Sequence, residues 1–396
     1  MTEAAAREPA GPLAPDSVAL AEAAAGWRGA YVHVPFCARV CPYCDFAVVA
    51  GRDDEAAGYV RAVVAETAME PPWGPLDAVH VGGGTPSRLA PELLDRVRAA
   101  LADRFGLAPG AEVALEANPE DWTAAHAAAV RAAGFTRVSL GVQSFDAQVL
   151  AALGRVHTPE EGAAAVASAR AAGFASVGLD LIAGTPGESG ASWRATVAQA
   201  LELGPDHLSV YSLTVERGTP LGRSVAAGAA APDPDDQAEK YEEAMAQATA
   251  AGMVRYEVGN LARPGHHSRY NLLTWAAGEY AAFGAGAHGH RGGLRRRNHR
   301  RLEAYLGAVE RGERPEAGSE SLDGWGRERE RVYQGQRRAA GVTPGAAGAR
   351  LLTTSSGRRL VEAGVIGLRE ARLVVLDPLR TDAAAREVLA LSAGEC

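Results

Sequence analysis

Cys37, Cys41 and Cys44 form a C-x3-C-x2-C cluster directly after the apolar run Ala30-Tyr31-Val32-His33-Val34-Pro35-Phe36. The only other cysteine is Cys396, at the end of the sequence. Three thiolates from one short loop can each hold an iron of a cubane 4Fe-4S cluster, leaving the fourth iron open to a small molecule. A zinc ion held by these cysteines and a distant histidine is the alternative. Zinc motifs usually place cysteines in C-x2-C pairs, which fits this spacing poorly. A disulfide framework does not suit a 396-residue chain with four cysteines.

The length allows one large domain and a smaller one. Hydrophobic residues make up 47% and charged residues 22%, the balance of an ordinary globular protein. A net charge of −8 argues against nucleic acid as the main partner. No apolar stretch approaches the length needed to span a bilayer. Residues 1–26 are rich in Ala and Pro and lack the pattern of a targeting segment, so they read as a flexible N-terminal tail with a short helical lead-in. The cytoplasm is the expected location.

Short β-branched runs then alternate with Ala-rich helical stretches. The predicted strands are Ala30–Phe36, Ala78–Val81, Val113–Glu116, Val138–Val142, Ser176–Ile182 and His207–Leu213. The predicted helices between them include Pro91–Phe105, Trp122–Ala133, Pro159–Ala172 and Ser192–Leu203. Such alternation implies parallel βα units. Gly134 and Gly173 stop two of the helices just before a strand. The expected fold class is therefore α/β, an open, partial (β/α)6 barrel over 27–225 with a smaller α+β C-terminal region. Active sites in such folds lie at the carboxyl ends of the strands. Those ends carry the cysteine loop, Gly82-Gly83-Gly84-Thr85-Pro86, Glu116-Ala117-Asn118-Pro119, Gln143-Ser144, Asp180 and Thr214-Val215-Glu216.

An Ala/Gly/Pro/Asp-rich linker at Ala226–Pro234 opens a barrel-flanking α/β extension over 226–310. It holds a predicted helix at Asp235–Ala251 and a strand at Met253–Asn260. The arginines of Leu294–Arg301 read as a solvated helix start. Residues 311–396 read as a mostly helical, winged-helix-like domain, with helices at Arg327–Ala340 and Ala349–Ala363 and a short strand at Leu373–Leu376.

Several stretches together resemble the radical S-adenosylmethionine (SAM) superfamily, in the branch that holds oxygen-independent coproporphyrinogen oxidases and heme chaperones. They are Tyr31-Val32-His33-Val34-Pro35-Phe36-Cys37, Cys41-Pro42-Tyr43-Cys44-Asp45-Phe46, Val81-Gly82-Gly83-Gly84-Thr85-Pro86-Ser87, Ser139-Leu140-Gly141-Val142-Gln143-Ser144-Phe145, Leu179-Asp180-Leu181-Ile182 and Tyr256-Glu257-Val258-Gly259-Asn260. The resemblance implies that the cluster's open iron binds SAM and that one electron cleaves it to methionine and a 5′-deoxyadenosyl radical. It implies a SAM site lined by Tyr31, Tyr43, Gly83, Gly84, Thr85, Glu116, Gln143, Arg155 and Asp180. It also implies a small electron donor such as flavodoxin or ferredoxin.

Within the branch, the oxidases carry a further cysteine two residues past the third cluster cysteine, where this chain has Phe46. That favours a heme chaperone, with heme and an acceptor hemoprotein as partners and peripheral membrane association when it meets acceptors. The chaperones' signature reads His-Asn-x-x-Tyr-Trp, whereas this chain has Tyr270-Asn271-Leu272-Leu273-Thr274-Trp275. The candidate heme contacts are accordingly His266, His267, Tyr270 and His288. A coproporphyrinogen III oxidase and a related radical SAM methyltransferase or cyclopropanase remain the alternative functions.

Overall fold

A computed structural model describes residues 17–393. Six strands form where the sequence predicts them: β1 (Arg28–Val34), β2 (Leu76–Gly83), β3 (Leu107–Ala117), β4 (Arg137–Gln143), β5 (Ser176–Ala183) and β6 (His207–Ser212). They lie side by side in chain order, all parallel. Helices Pro91–Phe105, Ala124–Ala132, Pro159–Ala171 and Gly190–Glu202 make crossovers. Their ends are set locally. Thr158 and Glu161 form a capping box, and Gly134 and Gly173 take positive φ at 97° and 80° just past two helices.

Strand residues alternate between two faces. Val32, Val79, Leu115, Leu140, Leu179 and Leu208 join a hydrophobic core with helix residues such as Val97, Val130, Val166 and Trp193. The alternate positions carry Tyr31, His33, His80, Glu116, Ser139, Asp180, Ser209 and Tyr211. A closed eight-stranded barrel fills its interior with branched aliphatic side chains. Here the interior is polar and forms a chamber.

The sheet continues at both flanks. β7 (Val254–Arg255) and β8 (Asn260–Ala262) add antiparallel strands beside β6. On the other side β9 (Glu279–Phe283) pairs parallel with β1, a seventh parallel strand that the sequence reading did not include. β10 (His288–Arg291), β11 (Leu294–Asn298) and β12 (Glu316–Ser321) follow antiparallel. The order is β12-β11-β10-β9-β1-β2-β3-β4-β5-β6-β8-β7, and the sheet is open.

Two elements of the extension differ from expectation. Met253–Asn260 is not one strand: the chain reverses at Glu257–Gly259, and Tyr256 N donates to Asn260 O at 3.1 Å. Leu294–Arg301 begins as a strand instead of a helix. Gly292 and Gly293, with φ of 61° and 74°, make the two-residue turn that folds β11 back on β10. In that strand Arg295 pairs with Glu330 at 2.6 Å and Arg296 with Glu316 at 3.3 Å, so these cations are compensated.

The C-terminal region packs helices Gly324–Gly335, Gly345–Thr353, Ser355–Glu362 and Thr381–Leu389 around a hairpin of Ile366–Arg369 and Arg372–Val375. It has its own core, including Val332, Leu351, Ile366, Leu373 and Val388. The single helix expected over Ala349–Ala363 is two, because the Thr354 side chain caps the second by accepting from Gly357 N at 3.0 Å. The lead-in is helical at Ser17–Ala23 and holds the C-terminal region. Arg338 donates to Ala21 O and Arg372 pairs with Glu22. The rest of the predicted tail, residues 1–16, and Cys396 lie outside the described residues.

Candidate functional site

The cysteine loop is tied at its base. Phe36–Cys37 pairs with Val49–Ala50, and Val49 N donates to Pro35 O at 2.8 Å. Cys44 N donates to Cys41 O at 3.1 Å, a turn that brings these two cysteines round. The glycine run after β2 lies against this loop. Gly84 N donates to Val34 O and Thr85 N to Phe36 O, both at 2.8 Å, and Thr85 Oγ1 lies 3.5 Å from Cys37 Sγ. A Cβ on Gly84 would sit 2.8 Å from Val34 O and 3.0 Å from Cys37 Sγ, so only glycine permits this approach.

A cavity of about 440 Å³ opens above these groups. Cys37, Cys41, Cys44, Tyr43, Gly83, Gly84, Thr85, Glu116, Gln143, Arg155 and Asp180 all line it. Tyr31 stands behind it, its ring stacked on His80 with centroids 6.0 Å apart. Gln143 ends β4 with φ 66°, an uncommon conformation for a side chain to hold and one found at functional sites.

The cavity's charges are fixed by named neighbours. Burial pushes the Glu116 carboxyl up, but the His80 ring at 2.8 Å and Gly83 N–H at 3.0 Å outweigh it and hold the group below the usual carboxylate range. Burial carries Asp180 up to about 6, with Ser209 and the Ser139 hydroxyl, donating at 3.0 Å, offsetting part of the rise. The Arg155 guanidinium donates to Asn118 Oδ1 at 2.6 Å and Gly141 O at 3.0 Å, and lies 3.8 Å from Cys41 Sγ. It is thus a buried cation beside the cysteines. Its Nε is buried without a partner.

These residues fit the group that the cysteine spacing implies. Among the described residues no three His, Cys, Asp or Glu side chains gather around one point as a single metal ion requires. In a cubane each thiolate binds its own iron, which three cysteines of one loop around a cavity suit. Burial pushes the Cys37 thiol up to about 11, so a metal is what would hold it deprotonated. The orphaned Arg155 Nε leaves a polar group free for a ligand, and the cavity of about 440 Å³ beside the loop leaves the room.

A second cavity, of about 550 Å³, lies between the extension and the C-terminal region. Tyr211, Glu257, Asn260, Asn271, Trp275, Tyr280, Arg295, Gln334, Arg337 and Leu379 help line it. Arg337 lies over the rings of Trp275 and Tyr333, at 5.3 and 5.1 Å. Asn260 Oδ1, Gln334 Oε1 and Arg337 Nε are buried without hydrogen-bond partners.

The four candidate heme contacts are not brought together. The His266 and His267 carbonyls accept from Arg137, the first residue of β4, at 2.7 and 3.0 Å, so they sit at the amino end of the strands. Tyr270 lies inside the barrel, stacked on His80 at 5.0 Å and on Tyr31 at 6.0 Å. His288 is exposed at the start of β10. Phe46 is 63% exposed and lines the first cavity. Sequence reasoning passed over His80, Asn118, Ser139 and Tyr211 as site residues. Asn118 had a visible signal, its place at a strand end, and the other three were legible only as inward positions of strands.

Six parallel strands around a polar chamber, with three cysteines at their carboxyl ends, define a radical SAM protein. The radical SAM superfamily pattern matches residues 31–200. The heme chaperone HemW of Mycobacterium tuberculosis is 45% identical over 301 residues, covering 74% of this chain and 77% of that protein. HemW of Bacillus subtilis is 34% identical over 324 residues, covering 80% and 85%. In fold, the chain is similar to coproporphyrinogen III oxidase (HemN) from Escherichia coli, with a TM-score of 0.77, 22% identity and coverage of 97% and 94%. The chain belongs to the radical SAM superfamily, in the HemW family of its HemN-like branch. Membership implies a 4Fe-4S cluster and SAM. Among the described residues no helix is long and apolar enough to cross a membrane.

Proposed function

We propose that this chain is a heme chaperone, binding heme and passing it to acceptor hemoproteins. The observation that carries the reading is the 45% identity to a heme chaperone across most of both chains. In this reading Cys37, Cys41 and Cys44 hold the cluster, which supplies one-electron reduction and an open iron site when bound. Gly83, Gly84 and Thr85 let SAM approach the loop. Arg155 meets its carboxylate, and Glu116, Gln143 and Asp180 its amino and ribose groups, with Tyr43 packed alongside and Tyr31 supporting from behind. The barrel at 27–225 carries this chemistry, and the extension at 226–310 and the region at 311–396 contribute most of the second cavity's lining.

Heme enters that second cavity, which Trp275 and Tyr280 line, and the Arg337 Nε, unpartnered although the Nη atoms meet Asp382 at 3.0 Å, is a donor for a carboxylate. Tyr270 and His288 stay as proposed iron ligands on the resemblance alone, since neither lines this cavity. A flavodoxin or ferredoxin is the proposed electron donor, the cytoplasm the proposed location, and membrane contact peripheral, at the acceptor.

The test is transfer. Hemin-loaded protein, reconstituted anaerobically, is mixed with a heme-free acceptor hemoprotein and the acceptor's Soret band is followed. Recovery faster than from free hemin at equal concentration is expected. No gain over free hemin would overturn the chaperone reading.

A further inference from the structure

The two cavities meet at the end of β6, where Tyr211 and Ser212 line both. Ser209 is paired opposite Asp180 of the first cavity, and Tyr211, two residues on, faces the same interior. The Tyr211 ring rests on Gly259, where an added Cβ would lie 3.6 Å from it. That glycine sits in the turn that presents Glu257 and Asn260 to the second cavity. Tyr211 is 47% exposed, a large ring standing in the chamber and not packed into the core. It has no part in the contacts assigned above to cluster, SAM or heme.

We propose that Tyr211 is the shared wall that couples the two cavities, so that a ligand in either one raises the affinity of the other. The inference rests on the reading that SAM occupies the first cavity and heme the second. The ring forms wall in both cavities, so a ligand that packs on it from one side fixes the surface met from the other. The second ligand then binds without the entropic cost of ordering that surface. Coupling of this kind is reciprocal: SAM must tighten hemin by the same factor as hemin tightens SAM.

The experiment is a paired anaerobic titration of the cluster-reconstituted full chain. Hemin is titrated with and without saturating SAM, then SAM with and without saturating hemin. Wild type should show a tightening of about fivefold or more in both directions, at the lower end of common coupling factors. In Tyr211→Ala the factor should fall to near one, while Tyr211→Phe, which keeps the ring, should retain it. Tyr211→Leu replaces the Ala variant if that one fails to fold, with the same expectation. Undiminished coupling without the ring, or none in wild type, overturns the role of Tyr211 while leaving the heme reading standing. Absence of saturable hemin binding in wild type removes both.

Discussion

At Gly84 a single hydrogen atom decides whether the cysteine loop closes. An added methyl would sit 2.8 Å from Val34 O and 3.0 Å from Cys37 Sγ, neither of which can retreat far. Gly84→Ala should therefore reconstitute with well under the roughly four irons per chain of a cubane, measured by iron and sulfide analysis. Asp180 makes a second prediction at this scale. Its carboxyl, carried up to about 6 by burial, is protonated below that pH. A ligand held by the carboxylate should bind more tightly as pH rises from 5 to 7 and then level off. SAM titrations across that range should show the rise in wild type and lose it in Asp180→Asn. Gly84 was legible because it follows a strand end in a turn, and Asp180 because it is a charged residue in an otherwise apolar strand. Arg155 was not fixed by its own neighbours in sequence, since only folding puts it beside Cys41 and Asn118.

The helix Arg269–Trp275 shows how an element can look familiar and still be repurposed. It replaces a signature histidine with Tyr270, and the structure gives that tyrosine a packing role against His80, Tyr31 and Tyr280. Tyr270→Ala should cost about 2 kcal/mol of stability, below the range for a fully buried ring because this one is half-buried. Tyr270→Phe, which keeps the stack, should cost less than about 1.5 kcal/mol. Denaturant midpoints separate the two. The parallel strands were readable because their period and helix-length connections leave one topology. The arginine-rich strand β11 was not, since its three arginines look solvated until Glu330 and Glu316 arrive from later in the chain. Its Gly292-Gly293 turn was the signal available.

Across the whole molecule, three bodies of sequence build two adjoining cavities. The barrel supplies the cysteines, the extension supplies Trp275, Tyr280 and Arg295, and the C-terminal region brings Gln334, Arg337 and Leu379 to the second cavity. The open sheet makes this arrangement. An interior lined by Tyr31, His80, Glu116 and Asp180 is not filled by the barrel's own side chains, so later segments fold in to wall it. Sequence periodicity reads one element at a time and does not place such segments. The family resemblance, not periodicity, named most of the first cavity's residues, and it set His266 and His267 with Tyr270 although they lie at the far end of the strands.

The central claim is that a cluster-bearing barrel of this family holds heme in its second cavity. An anaerobic hemin titration of the reconstituted chain, followed by Soret absorbance, tests it most directly. Saturation near one hemin per chain is predicted. Arg337→Ala should weaken binding about tenfold, the range expected for losing a charged hydrogen bond, with iron content unchanged. Linear, unsaturable uptake, or saturation insensitive to Arg337, would contradict it.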